Sequence, residues 1–196
     1  MPLAFRAASP ADPEATELLA EYVAFRTAGF AALGRSYAPA TPDPSTFAPP
    51  HGVFLIASVD GRDVGCGGVR ILSAEPRPGD GSADTGAPRG EIKHLWIRPD
   101  SRGTGAGRAL LAELERRAVG LGAREAVLDT HESLAAAQRL YRAAGYRATA
   151  PYNANPNATH WFAKTLVPGS LTPEEAEAVR RAMAFPDTCG LRSPEQ

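Results

Sequence analysis

The sequence predicts a single mixed α/β domain, and three observations support this fold class. A chain of 196 residues with 43% hydrophobic content can bury one ordinary core. Two apolar runs, VFLIASV and VGCGGVRIL, flank Asp60 and Gly61, a pair typical of a turn between antiparallel strands. From Glu91 onward, strand-like and helix-like segments alternate, as expected for a crossover unit in the middle of a sheet.

The first part of the chain predicts a strand, a helix and a long loop. Leu3 to Ala8 has the character of a short strand. Ser9, Pro10 and Asp12 have the pattern of an N-cap residue, a proline at the first helical position and the acid of a capping box. A helix should therefore follow to about Leu33. Residues 34–52 are rich in Pro, Ala and Thr without any period, and we expect them to form a loop that borders a substrate.

The second half alternates clearly between strand and helix. EIKHLWI, which starts at Glu91, is rich in β-branched and aromatic residues and predicts a strand. Apolar residues then recur at helical spacing from Gly105 to Leu121, and REAVLDT predicts the next strand. A further helix should end at Gly145, before a final strand ATHWFAKTL. Residues 75–90 are rich in Pro, Gly and Asp and predict a mobile connection.

Domain limits and excluded functions follow from composition. We expect residues 1–167 to form the one domain and 168–196 a helical tail that begins with a capping box. A net charge of −1 argues against a nucleic-acid partner. The absence of a long apolar run and of a basic leader predicts a cytoplasmic protein without a membrane partner. Two cysteines and four scattered histidines lack metal-ligand spacing, so we expect no metal.

A glycine-rich loop separates the strand that starts at Glu91 from the following helix. Arg102 to Gly107 (RGTGAG) combines free backbone N–H groups with the positive end of a helix dipole, which predicts a phosphate or pyrophosphate site. A nucleotide P-loop is excluded because the only lysines, Lys93 and Lys164, lie elsewhere. A dinucleotide fingerprint would need glycine in place of Arg108. A plain turn without a ligand stays open on the loop alone.

Two motifs over residues 91–166 resemble the GNAT superfamily of acetyl-coenzyme A-dependent N-acetyltransferases. Ile97-Arg98-Pro99 followed by Arg102 to Gly107 matches its Val/Ile-x-Pro and Arg/Gln-x-x-Gly-x-Gly/Ala pattern. Its second pattern, Ala-x-x-Leu-Tyr-x-x-x-Gly-Phe/Tyr, is matched by Ala137, Leu140, Tyr141, Gly145 and Tyr146. The resemblance implies a mostly antiparallel central sheet with two splayed central strands and flanking helices, and transfer of acetyl to a primary amine.

The resemblance also implies a site for acetyl-coenzyme A (acetyl-CoA) in the gap between the splayed strands. Its pantetheine arm would pair with backbone groups of the first of these strands. Its pyrophosphate would lie on the loop amides, with guanidinium groups adding charge-assisted hydrogen bonds. The implied contacts are Leu95, Trp96, Ile97, Arg102, Gly103, Thr104, Gly105, Ala106, Gly107, Arg108, Ala137 and Tyr141.

Three chemical requirements select the catalytic candidates. The amine must be neutral when it attacks, so a base is useful, and both Glu91 and Asp129 match positions where members of this superfamily carry a carboxylate. The sequence leaves the choice between them open, and a neutral amine would need neither. A strand N–H near Ile97 would stabilise the developing oxyanion. The motif position of Tyr141 implies that it gives a proton to the departing thiolate.

The motifs do not identify the acceptor, which could be a small molecule, an amino-acid-like compound or a protein amine. Tyr22 and Arg26 lie four residues apart on one face of the first predicted helix, with Arg35 and Tyr37 at the start of the next loop. A guanidinium there could grip a carboxylate, although a solvated helix face is the alternative. A non-catalytic acyl-CoA sensor is the alternative function, and a homodimer is left open.

Overall fold

The computed structural model describes residues 3–72 and 88–166 as one sheet with three α-helices. Two short 3₁₀ helices, Pro44–Phe47 and Pro99–Ser101, lie in the loops. The strands and helices follow the chain in this order: β1 Leu3–Ala8, α1 Pro13–Ala31, β2 Gly52–Val59, β3 Arg62–Leu72, β4 Arg89–Ile97, α2 Ala106–Gly120, β5 Glu125–Thr130, α3 Ala135–Ala143, β6 Arg147–Ala148 and β7 His160–Thr165.

The seven strands are ordered β1-β2-β3-β4-β5-β7-β6, and every neighbouring pair except β4 and β5 is antiparallel. The parallel pair is short, because only Arg89–Glu91 lies opposite Glu125–Val127. Beyond Glu91 the two strands have no register partners in each other, so they separate. The expected mixed α/β fold with splayed central strands is therefore confirmed.

A β-bulge lies in β4 just after this separation. Cys66 is opposite Trp96 and Gly68 is opposite Lys93, so β4 has one residue more than β3 over this stretch. His94 absorbs the extra residue with a positive φ of 55°, a backbone conformation that non-glycine residues rarely adopt. The bulge bends β4 at the point where it has left β5.

Apolar side chains pack on both faces of the sheet. The apolar stripe of α2, formed by Leu110, Leu111, Leu114 and Ala118, is buried on one face together with Leu55 of β2. On the other face, Leu18 and Leu19 of α1 pack with Phe54, Ile56 and Trp96. Successive β2 residues thus alternate between the two cores, as strand geometry requires. Each fully buried large side chain contributes roughly 1.5–3 kcal/mol.

The observed elements differ from the predictions mainly at their ends. Helix α1 begins at Pro13, because Asp12 occupies the N-cap position and its carboxylate accepts the Ser9 N–H at 2.8 Å in a turn before the helix. It ends at Ala31, two residues early. The pattern predicted neither the two-residue strand β6 nor the 3₁₀ turn in the loop after α1. The predicted tail helix and most of the 75–90 connection lie outside the described residues, so the domain limits stay a prediction.

No helix in the described part is long and apolar enough to cross a membrane.

Gly52 fixes the 3₁₀ turn against the sheet, and replacing it should destabilise the protein. An added Cβ would lie 2.3 Å from the Thr46 carbonyl oxygen and 2.5 Å from that of Val69, both backbone atoms that cannot move cheaply. We expect Gly52→Ala to lower the free energy of unfolding by about 2 kcal/mol or more in urea titrations. Gly29→Ala, in an open position of α1, should raise it by up to about 1 kcal/mol. Equal stability of the Gly52 variant and the parent would contradict this close packing.

Candidate active site

Two cavities meet where β4 and β5 separate. The first, called the cleft, has a volume of about 560 Å³ and lies between the end of β4, residues 102–108 and α3. The second, called the acceptor cavity, has about 600 Å³ and lies between α1, the loop after it, β4, β5 and residues 153–157. The residues that line both form the junction: Tyr22, Arg26, Leu95, Leu134, Ala137 and Tyr141.

The glycine-rich loop forms one end of the cleft. Gly103 and Gly105 have positive φ angles of 80° and 93°, and an added Cβ at either would meet nothing within 4 Å. Gly105 is the N-cap of α2 and has no side chain to cap the first turn. The Ala106 N–H donates to Thr104 Oγ1 at 3.4 Å, whereas the N–H groups of Gly107 and Arg108 belong to the first helical turn and have no partner within the helix, which suits an anion. Arg102 and Arg108 add positive charge to the cleft wall.

Most residues of the predicted cofactor site line the cleft. They are Leu95, Trp96, Ile97, Arg102, Gly103, Gly105, Gly107, Arg108, Ala137 and Tyr141. Thr104 and Ala106 do not line it, because the Thr104 hydroxyl donates to the Ser101 carbonyl at 2.8 Å and Ala106 is buried in the core. The binding roles of all twelve stay predictions.

The strand β4 presents alternate backbone groups to the gap. The Arg98 N–H donates to β3 at 2.8 Å, and successive N–H groups of a strand point to opposite sides, so the Ile97 N–H points away from β3. Trp96 lies opposite Cys66, which turns its backbone groups toward β3. Trp96 is among the residues that line the cleft, and the Arg102 guanidinium carbon lies 4.6 Å from the centroid of its indole ring.

Glu91 lies behind the wall of the acceptor cavity and is saturated with hydrogen bonds. Its side chain is 1% exposed and does not line the cavity. Arg70 Nε donates to Glu91 Oε2 at 2.6 Å. Tyr152 and Asn153 donate to Oε1 at 3.2 and 3.1 Å. These contacts join β3, β4 and the loop before β7, which gives Glu91 a structural role.

Asp129 belongs to the same network but faces the cavity. Lys93 Nζ and Asn153 Nδ2 each lie 2.7 Å from its Oδ2, and Asn155 Nδ2 lies 2.8 Å from Oδ1. Burial alone would raise the pKa of Asp129. The Lys93 charge and hydrogen bond, together with the two asparagine amides, outweigh burial and hold the pKa below its usual range. Asp129 is therefore a carboxylate at neutral pH.

Sequence reasoning missed the basic partners of these carboxylates and the environment of His94. Arg70 and Lys93 are isolated basic residues on strands, and no motif marks them. The one signal in the sequence for a charged pair was that Glu91 and Lys93 are two residues apart, which places both side chains on the same face of β4. Burial and the nearby charges of Lys93 and Arg70 lower the pKa of His94 to about 4, so its ring is uncharged at neutral pH.

No group of three His, Cys, Asp or Glu side chains that could hold a metal ion occurs among residues 3–72 and 88–166.

Tyr141 stands at the junction with a protonated phenol. Its side chain is 7% exposed and packs against Tyr146 and Phe162, with ring centroids 6.0 and 6.1 Å away. Burial, assisted by the negative charge of Asp129 and opposed by Arg26, raises the pKa of Tyr141 to about 12. The hydroxyl thus keeps its proton across the physiological range and can donate it.

Two other features shape the acceptor cavity. Arg26 is buried and lines it, whereas Arg35 is exposed and its Nη1 lies 3.4 Å from His131 Nε2. At the rim, the Ala38 N–H donates to Asn157 Oδ1 at 3.0 Å, and Asn157 Nδ2 donates back to the Ala38 carbonyl at 2.6 Å. This reciprocal pair joins the loop after α1 to the loop before β7.

The family model of the Acetyltransferase (GNAT) family matches residues 17–146, which is more than half of the chain, and the chain belongs to this family. An uncharacterized N-acetyltransferase from Schizosaccharomyces pombe is 36% identical over 111 residues, covering 56% of this chain and 61% of that protein. An IAA acetyltransferase from Azospirillum brasilense is 33% identical over 110 residues, covering 56% and 64%. The matched region thus spans about three fifths of these curated relatives.

Solved structures agree with the fold. A proposed acyl-CoA N-acyltransferase from Klebsiella pneumoniae is 28% identical, with a TM-score of 0.60 over 84% of this chain and 98% of that one. Arabidopsis thaliana NAA60 in complex with acetyl-CoA has a TM-score of 0.61 at 16% identity, over 84% and 99% of the two chains. At that identity the second likeness concerns the fold alone.

The pairing of Asp129 with Lys93 should make stability depend on pH. Asp129→Asn should lower the free energy of unfolding by about 1–3 kcal/mol at pH 7, because a buried charge-assisted contact is lost. In the folded protein the pKa of Asp129 lies below its value of about 3.9 in the unfolded chain. The stabilisation by ionised Asp129 is therefore fully present above the unfolded pKa, and it is lost as the pH falls through the folded pKa. Urea titrations at pH 7 and pH 3 should show the difference shrinking. A difference that stays constant to pH 2 would exclude the ionic pairing, and Asp60→Asn, in the exposed turn between β2 and β3, serves as the control.

Proposed function

We propose that this chain is an N-acetyltransferase that moves an acetyl group from acetyl-CoA to a primary amine held in the acceptor cavity. The observation that carries the proposal is the junction, where Tyr141 lines both cavities with a phenol that keeps its proton. One cavity has an anion-binding loop at its end, and the other has a carboxylate in its wall. This arrangement provides two neighbouring sites for two substrates, with a proton donor between them.

The cleft has the features that acetyl-CoA requires, and this cosubstrate supplies the acetyl group as an activated thioester. The amides of residues 102–108 would hold the pyrophosphate, since the space in front of Gly103 and Gly105 is open. Backbone groups of Leu95 would pair with the pantetheine arm, because this residue faces the gap left by β5, whereas the Ile97 carbonyl already accepts from Arg102 Nε at 2.9 Å. Arg102 and Arg108 would add charge-assisted hydrogen bonds.

Asp129 is the carboxylate that we assign to the incoming amine. Both carboxylates accept hydrogen bonds from the network, so access to the cavity decides between them. Glu91 lies behind the cavity wall, whereas Asp129 lines the cavity. Its negative charge would attract the ammonium form of the acceptor and orient it. Because the pKa of Asp129 is low, the proton would pass on to solvent instead of staying on the carboxylate. Amines that arrive neutral need only the orientation.

Two donors would act on the charges that develop during transfer. The Ile97 N–H, which points into the gap, would donate to the carbonyl oxygen as it becomes negative. The Tyr141 hydroxyl would donate to the sulfur as the carbon–sulfur bond breaks, and it would regain a proton from solvent as coenzyme A leaves as the thiol. Because the phenol, with a pKa of about 12, is a weaker acid than a thiol of pKa about 8.5, its main effect would be to stabilise the negative charge that develops on the sulfur.

The loop assignment predicts loss of coenzyme A binding when an acid is introduced. Gly105→Asp should weaken coenzyme A affinity at least tenfold in calorimetry, since a carboxylate would lie where the pyrophosphate is expected. Gly122→Asp is the matched control: Gly122 has the same left-handed backbone, with φ of 89° and open space, but lies at the far end of α2 and outside the cleft. Equal affinities of the two variants would remove the loop from the cofactor site.

The role of Tyr141 predicts a loss of turnover without a loss of binding. Tyr141→Phe should lower coenzyme A release by about 100-fold with the best amine of a panel, and change the Kd for coenzyme A by no more than a few-fold. Tyr146→Phe, which alters a neighbouring ring that lines neither cavity, should stay within a few-fold of the parent. Weaker binding with unchanged turnover would make Tyr141 a packing residue. A parent that binds coenzyme A but releases none with any amine would instead be a sensor.

A further inference from the structure

Arg26 occupies the junction with an unpaired charge. Its side chain is 7% exposed. Among residues 3–72 and 88–166, no carboxylate lies within 4 Å of its guanidinium and no hydrogen bond reaches it. The guanidinium carbon lies instead over three aromatic rings, 5.1 Å from the centroid of Tyr37, 5.3 Å from Phe30 and 5.9 Å from Tyr22. Arg26 therefore sits in an aromatic box that opens into both cavities.

The aromatic box offsets only part of the cost of burying this cation. Cation–π contacts contribute on the order of 0.5–2 kcal/mol each, and ring faces cannot accept the five N–H donors of a guanidinium in its own plane. A buried charge without a hydrogen-bonded counterion costs several kcal/mol. Arg98, whose side chain is 16% exposed, shows the usual solution, because it is paired with Glu21 at 2.7 Å. Because Arg26 lines both cavities, an anion bound there can supply the partner that the described residues do not.

The charge balance of the acceptor cavity favours a monoanion. Arg70 and Lys93, the other cations in its wall, are neutralised by Glu91 and Asp129 at 2.6 and 2.7 Å. Arg26 has no such partner, because Asp43, the other carboxylate that lines the cavity, accepts hydrogen bonds from Ser45 in its own turn. One guanidinium matches one carboxylate through two parallel hydrogen bonds. A phosphate dianion would leave a second negative charge desolvated among aromatic rings. A carboxylate is therefore the anion that fits.

The position of Arg26 limits how far this carboxylate can lie from the reacting nitrogen. Arg26 and Tyr141 line the same junction, and the Arg26 charge acts on the pKa of Tyr141. Phe47 and Ile92 provide apolar wall deeper in the cavity, and Asp129 lies on its β5 side. A molecule whose carboxylate contacts Arg26 thus has its nearby amine beside the proton donor and its remaining atoms in the cavity.

From this arrangement we infer that the acceptor is a small amino acid or amino-acid-like compound, with the reacting amine within a few bonds of a carboxylate that Arg26 binds. The inference rests on the proposed function and adds the substrate class to it. Tyr22, Phe30 and Tyr37 are positioning residues that hold the guanidinium flat. Arg35, exposed and in contact with His131, takes no part in the grip.

The test compares each α-amino acid with its own carboxamide, which keeps the amine and nearly the same shape but removes the charge. With acetyl-CoA present, the parent should show at least tenfold higher kcat/KM for the acid form of its best substrate. Arg26→Gln should abolish this preference, with a loss of about 100-fold on the acid and a few-fold on the carboxamide. Arg26→Lys should retain part of it, since a lysine keeps the charge without the fork. Arg35→Gln should retain the preference in full.

Three results would overturn the inference. Equal rates for acids and carboxamides in the parent would show that no carboxylate is recognised. An equal loss on both forms in Arg26→Gln would show that the guanidinium acts on the reaction and not on the acceptor. A weaker Kd for coenzyme A in that variant, with acid preference intact, would make the cosubstrate its partner.

Calorimetry separates this inference from the proposed function. Binding of amino acids and carboxamides to the full chain loaded with coenzyme A does not depend on turnover. If no amine causes coenzyme A release, the proposed transferase activity fails. Acid-selective binding that is lost in Arg26→Gln would still support the carboxylate site, and binding without acid selectivity would overturn it.

Discussion

The separation of β4 and β5 after three shared positions is the constraint on which the rest of the structure depends. Parallel neighbours in a sheet normally satisfy each other's backbone groups, and breaking that pairing in the middle of a domain is costly. The gap is maintained because a core on each face fixes the two strands through other neighbours, β4 through β3 and β5 through β7. The cleft, the junction and the exposed Ile97 N–H all result from it.

Side chains take over where backbone pairing stops. Directly beside the last shared pair, Glu91, Lys93 and Asp129 connect the two strands through charged contacts, and Asn153 bridges both carboxylates. The network thus closes the bottom of the gap and fixes the loop before β7 as one wall of the acceptor cavity. Of the two acids at positions typical of a catalytic base, Glu91 therefore lies behind the wall and Asp129 lines the cavity, with side chains 1% and 8% exposed.

Local patterns predicted what depends on local interactions. The apolar spacing of Leu110, Leu111 and Leu114 and the glycines of residues 102–107 act within one or two turns of the chain, so helix α2 and the open glycine-rich loop before it could be inferred. The network could not, because Arg70, Lys93 and Asp129 come from three strands and meet only in the folded sheet. The bulge at His94 was equally hidden, since it depends on a register difference between β3 and β4. Arg26 could be placed on a helix face, but its aromatic box needed the loop that carries Tyr37.

The reciprocal hydrogen bonds between Ala38 and Asn157 form a local contact at the rim of the acceptor cavity. Both are exposed, so breaking the pair costs only about 1–3 kcal/mol and leaves every strand intact. The free energy needed to break this contact is therefore small compared with the free energy of unfolding the domain. The two loops that it joins belong to the part of the molecule whose stability is lowest, whereas the sheet and the carboxylate network belong to the part whose stability is highest.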